Sequence, residues 1–151
     1  MKIRKNQEKT GERRKNLFIT KKNNEKKYLI FDSGPLINFS MNSLLPLFKK
    51  LKKEFTGEFV ITQEVKKEII DRPLKIPRFQ LGALMLKSLL RKKIINLPKL
   101  DKKQKKLFIE KKKFYLEKSN STYIVDRKNL KIIHQGEAAA LALATILKPN
   151  A

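Results

Sequence analysis

The sequence predicts one α/β domain built on a mainly parallel sheet, and three observations predict it. Short apolar runs alternate along the chain with amphipathic or capped helical segments, the order of a parallel sheet covered by helices. The runs Tyr28–Phe31 and Phe59–Ile61 are continuous rather than alternating, as strands buried on both faces are. With 151 residues and 40% apolar content, the chain can bury one core of modest size and not two.

Taken in order, residues 1–27 hold eleven Lys+Arg and three Glu, with Met1, Ile3, Leu17, Phe18 and Ile19 as their only apolar side chains. So little apolar surface cannot offset the entropy of ordering, and a flexible basic arm is expected. The folded domain is expected over 28–151. Tyr28-Leu29-Ile30-Phe31 is the first strand, ending at Asp32. Ser33-Gly34-Pro35 opens a helix, because proline suits a first helical turn. It continues briefly through Leu36, Ile37, Phe39 and Met41. Asn42-Ser43 starts another helix, with Leu44, Leu47, Phe48 and Leu51 at helical spacing and Pro46 in its first turn.

Gly57 ends that helix and Phe59-Val60-Ile61 is the second strand. Thr62 caps the helix Gln63–Ile70, and Pro73 stops it. A helix follows over about Arg78–Arg91, with Leu81, Leu84, Met85 and Leu89 as its expected buried stripe. Ile94-Ile95-Asn96-Leu97 is a third strand, closed by Pro98. Residues 99–118 are dense in lysine and form a helix on the surface or projecting from it. Ser119-Asn120-Ser121 reads as a loop. Extended segments are expected around Tyr123–Val125 and Leu130–Ile133. Gly136 then opens GEAAALALATIL, a helix of small and apolar residues that must be buried, ended by Pro149.

The charge narrows the partner. There are 37 Lys+Arg against 14 Asp+Glu, a formal charge of +23. Beyond residue 27, 26 basic and 11 acidic residues remain, so the domain is basic in its own right. Such a field attracts polyanions, of which RNA and DNA are the commonest; a lysine-rich solvated surface is the plainer alternative. There is no Cys, which excludes disulfides and thiolate zinc sites. No apolar run approaches the roughly 20 residues of a membrane span. No strongly amphipathic helix suggests a lipid surface. The charged N-terminus does not read as a secretory leader. A soluble, cytoplasmic protein with RNA as partner and no membrane is expected.

Three acids stand beside strongly apolar sequence. Asp32 ends the first strand, Glu68 lies in the helix after the second, and Glu137 lies in the first turn of the final helix. In open parallel sheets the carboxyl ends of strands and the helix starts beyond them face one crevice, where ligands bind. Converging carboxylates repel one another, so a divalent cation is their natural occupant, and oxygen ligation without Cys favours Mg²⁺ or Mn²⁺. Each acid also has a structural reading. Asp32 could cap the helix start, Glu68 could pair with lysines on an exposed face, and Glu137 could answer the helix dipole. Glu64, Glu68 and Asp71 share one helix face, which is acidic in a basic protein.

The stretches Tyr-Leu-Ile-Phe-Asp-Ser-Gly-Pro-Leu-Ile-Asn (28–38), Phe-Val-Ile-Thr-Gln-Glu-Val-Lys-Lys-Glu-Ile-Ile (59–70) and Gly-Glu-Ala-Ala-Ala-Leu-Ala-Leu-Ala (136–144) resemble, in this order, the three opening motifs of PIN-domain nucleases, most of all the archaeal type. The resemblance implies a three-layer α/β/α fold and a metal-dependent ribonuclease, of toxin or RNA-processing type, that hydrolyses phosphodiester bonds. It implies Asp32, Glu68 and Glu137 as ligands of Mg²⁺ or Mn²⁺, with Ser33 orienting a carboxylate or a water. Two departures stand out. The sequence stops at Lys148-Pro149-Asn150-Ala151, before the strand that brings the family's fourth acid, and Ala139 stands where many relatives carry a polar residue. A C-terminally incomplete domain is therefore expected, as a fragment, as a degenerate domain, or with its sheet completed by a second copy or another protein. The alternatives to a nuclease are an RNA-binding protein that keeps this scaffold without catalysis, and a basic structural or ribosome-associated protein of another fold. His134 could touch substrate or metal or be structural. Phe108, Phe114 and Tyr115 could stack on bases or pack the lysine-rich helix.

Overall fold

The computed structural model describes residues 26–121, 124–125, 128–129 and 132–147. The expected basic arm, apart from Lys26 and Lys27, lies outside the described residues, as do Tyr123, Leu130 and residues 148–151. The described chain mixes helices with a small parallel sheet and is mostly helical. Strand β1 (Tyr28–Ile30) is followed by α1 (Ser33–Met41) and α2 (Pro46–Glu54). Strand β2 (Glu58–Val60) leads into α3 (Gln63–Lys66), which continues as a π-helical turn over Lys67–Asp71 and a 3₁₀ turn over Pro73–Lys75. Helices α4 (Pro77–Arg91) and α5 (Lys102–Ser121), the short strands β3 (Ile124–Val125) and β4 (Lys128–Asn129), and α6 (Gln135–Leu147) complete it.

β1 and β2 pair in parallel, with Ile30 opposite Val60, and β3 pairs antiparallel with β4. The expected third strand shrinks to a parallel bridge. Asn96 donates to the Phe59 carbonyl at 2.8 Å and accepts from the Ile61 N–H at 3.0 Å. Pro98, two residues on, has no N–H to extend the ladder. β2 is thus the middle of the three segments. Entry to β2 needs Gly57, because a Cβ there would lie 2.5 Å from the Lys27 carbonyl oxygen. At the same end Lys26 pairs with Glu58 at 2.7 Å, and this contact raises the Lys26 ammonium above the ordinary lysine range. Lys26 and Lys27 therefore belong to the folded domain rather than to the arm.

Five phenylalanines make the centre of the core. Phe48 is fully buried and meets Phe31, Phe39 and Phe59 with centroids 5.2, 5.0 and 6.0 Å away, while Phe55 stacks on Phe59 at 5.4 Å. Full burial of Phe48 and Phe59 stabilises by roughly 1.5–3 kcal/mol each, the half-buried Phe31, Phe39 and Phe55 add less, and the tilted and edge-on geometry contributes further. Leu36, Val65, Ile69, Ile70, Leu86, Leu89 and Ile95 close around them.

Helices α1 and α4 both end in Schellman motifs without glycine. Leu44 N–H bonds the Phe39 carbonyl and Ile94 N–H the Leu89 carbonyl, which places Ser43 and Lys93 in the left-handed region at φ 57° and 54°.

Three helical expectations need correction. The inward stripe of α4 is Ala83, Leu86 and Leu89, whereas Leu81 and Leu84 face outward and Met85 is half-buried. Gln80, Lys87 and Arg91 share the outward side of the helix, with Leu84 among them, and the rest of the circumference is mostly apolar, which leaves the centre of the inward face to packing. Small residues decide it: a Cβ on Gly82 would lie 2.6 Å from Ser40 Oγ, so α1 approaches α4 closely there. In α2 the buried partner of Phe48 is Leu45, just before the helix, while Leu44, Leu47 and Leu51 stay exposed. Ser119–Ser121 is the last turn of α5 rather than a loop.

Candidate functional site

Asp32 and Thr62 each lie two residues beyond the paired Ile30 and Val60, so both stand at the carboxyl edge of the parallel pair. Phe31 N–H bonds the Val60 carbonyl at 3.0 Å and its ring enters the aromatic core, which fixes the backbone just before Asp32. Asp32 occupies the N-cap position of α1 but makes no side-chain capping bond. Its Oδ1 is buried and has no hydrogen-bond partner among the described residues. A buried oxygen without a partner costs about 1–3 kcal/mol, and native structures leave few of them. The capping role open to this residue is therefore not the one it takes. Ser33, next to it, is the first residue of α1 and half-buried.

Thr62 does cap its helix, its hydroxyl accepting from Val65 N–H at 3.2 Å. The helix it starts carries the acidic face, and the three acids on that face have different fates. Glu64 pairs with Lys112 of α5 at 2.7 Å, and Asp71 pairs with Lys66 at 2.8 Å. Glu68 has no ion-pair partner among the described residues. Its Oε1 accepts the Gly136 N–H at 3.1 Å, at the start of α6. The exposed, lysine-paired role open to Glu68 is not realised. Gly136 is buried, and a Cβ on it would lie 2.5 Å from Glu68 Oε2, so only glycine lets this carboxylate rest on the helix. The π-helical turn, closed by Arg72 N–H on the Lys67 carbonyl at 3.0 Å, holds both Glu68 and the buried pair Ile69 and Ile70.

Glu137 follows Gly136 directly. Its Oε2 accepts the His134 N–H at 2.7 Å, the reach-back of a capping box, with His134 Nδ1 at 3.9 Å. The structural role of Glu137 is thus realised, through a capping hydrogen bond as well as the dipole. The segment before α6 is fixed by Asn120: its Oδ1 accepts from Ile132 and Ile133 N–H at 2.7 and 3.2 Å, and its Nδ2 donates to the Ile133 carbonyl at 3.1 Å. Sequence reading missed Asn120, and nothing local marks it. Gly136 was legible only as a helix start.

The fold therefore gathers Glu68, Gly136 and Glu137 at one corner, and it places Asp32 and Ser33 just beyond β1, against which α6 packs. Among the described residues no three Asp, Glu or His side chains converge closely enough to hold a metal ion. The unpartnered buried oxygen of Asp32 and the carboxylate of Glu68 are each hard oxygen donors, the kind that Mg²⁺ and Mn²⁺ take. Glu137 would have to give up its Oε2 bond to bind fully. A separate groove of about 580 Å³ between α1 and α4 is lined by Ile37, Ser40, Met41, Phe79 and Leu81 among others and includes none of these acids. No described helix is long and apolar enough to cross a membrane. Comparison with protein-family profiles, curated proteins and solved structures finds no match for this chain.

Proposed function

We propose that this protein is a metal-dependent ribonuclease with a PIN-like three-layer α/β/α scaffold. The observation that carries the proposal is the buried, unpartnered Oδ1 of Asp32 at the carboxyl edge of the parallel strands. A carboxylate kept without a partner at that edge is stability given up for a ligand. Asp32 and Glu68 would hold Mg²⁺ or Mn²⁺, with Glu137 joining them. Bound there, a divalent ion supplies polarisation of the phosphodiester and a more acidic water. The chain's own groups do the rest. Ser33 orients the Asp32 carboxylate or a water. The Gly136 N–H fixes the direction of the Glu68 carboxylate. The basic surface holds the RNA backbone.

The test is cleavage of a labelled RNA in Mn²⁺ by the full chain beside Asp32→Asn and Glu68→Gln. Cleavage lost in both variants with folding retained supports the proposal. Cleavage equal in all three, or none in any, defeats it. A second reading, an RNA-binding protein on the same scaffold without catalysis, is favoured by the engagement of Glu137 in its capping bond. It predicts RNA binding untouched by Asp32→Asn. Completion of the sheet by a second copy or another protein stays with this proposal and would appear as a change in association state.

A further inference from the structure

We infer that the outer face of α5 is a docking track for single-stranded RNA. The choice of RNA over DNA rests on the ribonuclease proposal, while the track itself rests on α5 alone. The helix starts at a reciprocal cap, Asp101 Oδ1 accepting Gln104 N–H at 2.7 Å and Gln104 Oε1 accepting Asp101 N–H at 3.1 Å. It is anchored in its second half, where Lys112 reaches Glu64 and the Tyr115 hydroxyl meets Thr145 of α6 at 2.9 Å. Its inward side chains are Gln104, Phe108, Lys111, Lys112 and Tyr115, all half-buried.

On the opposite side, Lys102, Lys106 and Lys113 fall at i, i+4 and i+11, with Ile109 between them, in one exposed row about 16 Å long. Among the described residues Lys102 and Lys106 have no ion-pair partner, and Lys113 has only an exposed contact to Glu117 at 3.7 Å. Such a contact is worth little, so the row keeps its charge for an external anion. Glu110 and Glu117 lie on the neighbouring strip.

Phe114, half exposed, stands about a quarter turn from the row, beyond the strip that carries Glu110 and Glu117. It is held edge-on by Tyr115 at 5.6 Å, with the Lys111 ammonium 5.9 Å from its ring centroid. A large ring left in water and braced from behind by a fixed tyrosine is a stacking platform. Lysines for phosphates with an aromatic for a base are the pair that single strands use. A duplex offers only its phosphates to this face.

The test is fluorescence anisotropy of a labelled oligouridylate of about 12 nucleotides, a length within ordinary single-strand site sizes. It is run in EDTA, so that cleavage plays no part, between about 50 and 200 mM salt. The triple variant Lys102→Gln/Lys106→Gln/Lys113→Gln should weaken binding about tenfold. It should flatten the log–log salt slope by about 2, from roughly 0.7 per phosphate contact. A matched triple on α2, Lys49→Gln/Lys50→Gln/Lys53→Gln, should do much less. Phe114→Ala should cost about fivefold or more on the single strand and little on a duplex. Circular dichroism checks that α5 stays helical. Equal losses in the two triples, no loss with Phe114→Ala, or equally tight binding of a duplex or of anionic vesicles would overturn the track. Those failures leave the ribonuclease proposal standing, which is judged on cleavage by the acid variants.

Discussion

Replacing Asp32 by Asn should stabilise the metal-free protein, and the sign of that change separates a ligand site from a helix cap. Loss of a working N-cap costs about 0.5–2 kcal/mol. Asp32 makes no capping bond, so that loss does not arise. Its buried Oδ1 lacks a partner, a deficit of about 1–3 kcal/mol; the amide leaves an unpaired polar atom there but no longer carries the charge, which relieves part of that deficit. Against this, the attraction between a carboxylate and the start of α1, about 0.3–1 kcal/mol, disappears. The net gain is at most about 1 kcal/mol, or up to roughly 2–4 °C in Tm for a chain of this size. Urea denaturation followed by circular dichroism in EDTA reads it as a higher midpoint at constant slope. Added Mn²⁺ at about 100 times its Kd should then stabilise the wild type by about 2.7 kcal/mol and leave the variant unmoved. A variant that loses 0.5–2 kcal/mol in EDTA, or a pair that responds alike to Mn²⁺, would refute the reasoning.

Other consequences are open to measurement. Gly136→Ala should leave stability nearly unchanged, because the helix preference gained, up to about 1 kcal/mol, is offset by the displaced Glu68 contact. It should weaken Mn²⁺ binding in calorimetry, and unaltered binding would mean that the Glu68 carboxylate is not a ligand. Thr62→Val removes the buried cap of the helix that carries Glu68 and should cost about 1 kcal/mol in urea denaturation. A change within about 0.3 kcal/mol would show that the cap contributes nothing. Lys93→Gly relaxes a left-handed backbone at the end of α4 and should raise stability by up to about 1 kcal/mol, after the entropy that glycine adds to the unfolded chain. A lower denaturation midpoint in this variant would contradict that account.

Much of the local structure was legible in the residues. The strand ending at Asp32, the cap at Thr62 and the small-residue helix from Gly136 all follow from patterns within a few residues, where backbone and side-chain preferences act. Of the candidate site, the positions were legible and the partners were not. Glu64, Glu68 and Asp71 look alike on one face. Yet Glu64 is claimed by Lys112, 48 residues away, Asp71 by Lys66, and Glu68 by a backbone N–H 68 residues away.

The sequence by itself determined the basic charge, the missing thiols, the order of strands and helices, and which acids border apolar sequence. These depend on composition and on short-range geometry. Only the tertiary structure decided that the Asp32 Oδ1 is buried without a partner and that Glu68 rests on Gly136. It also decided that the inward face of α4 is centred on Ala83, Leu86 and Leu89, with α1 close against Gly82. It reduced the third strand to one bridge beside Pro98. Hydrogen-bond satisfaction and steric fit between distant segments are properties of the packed chain, and no local pattern encodes them.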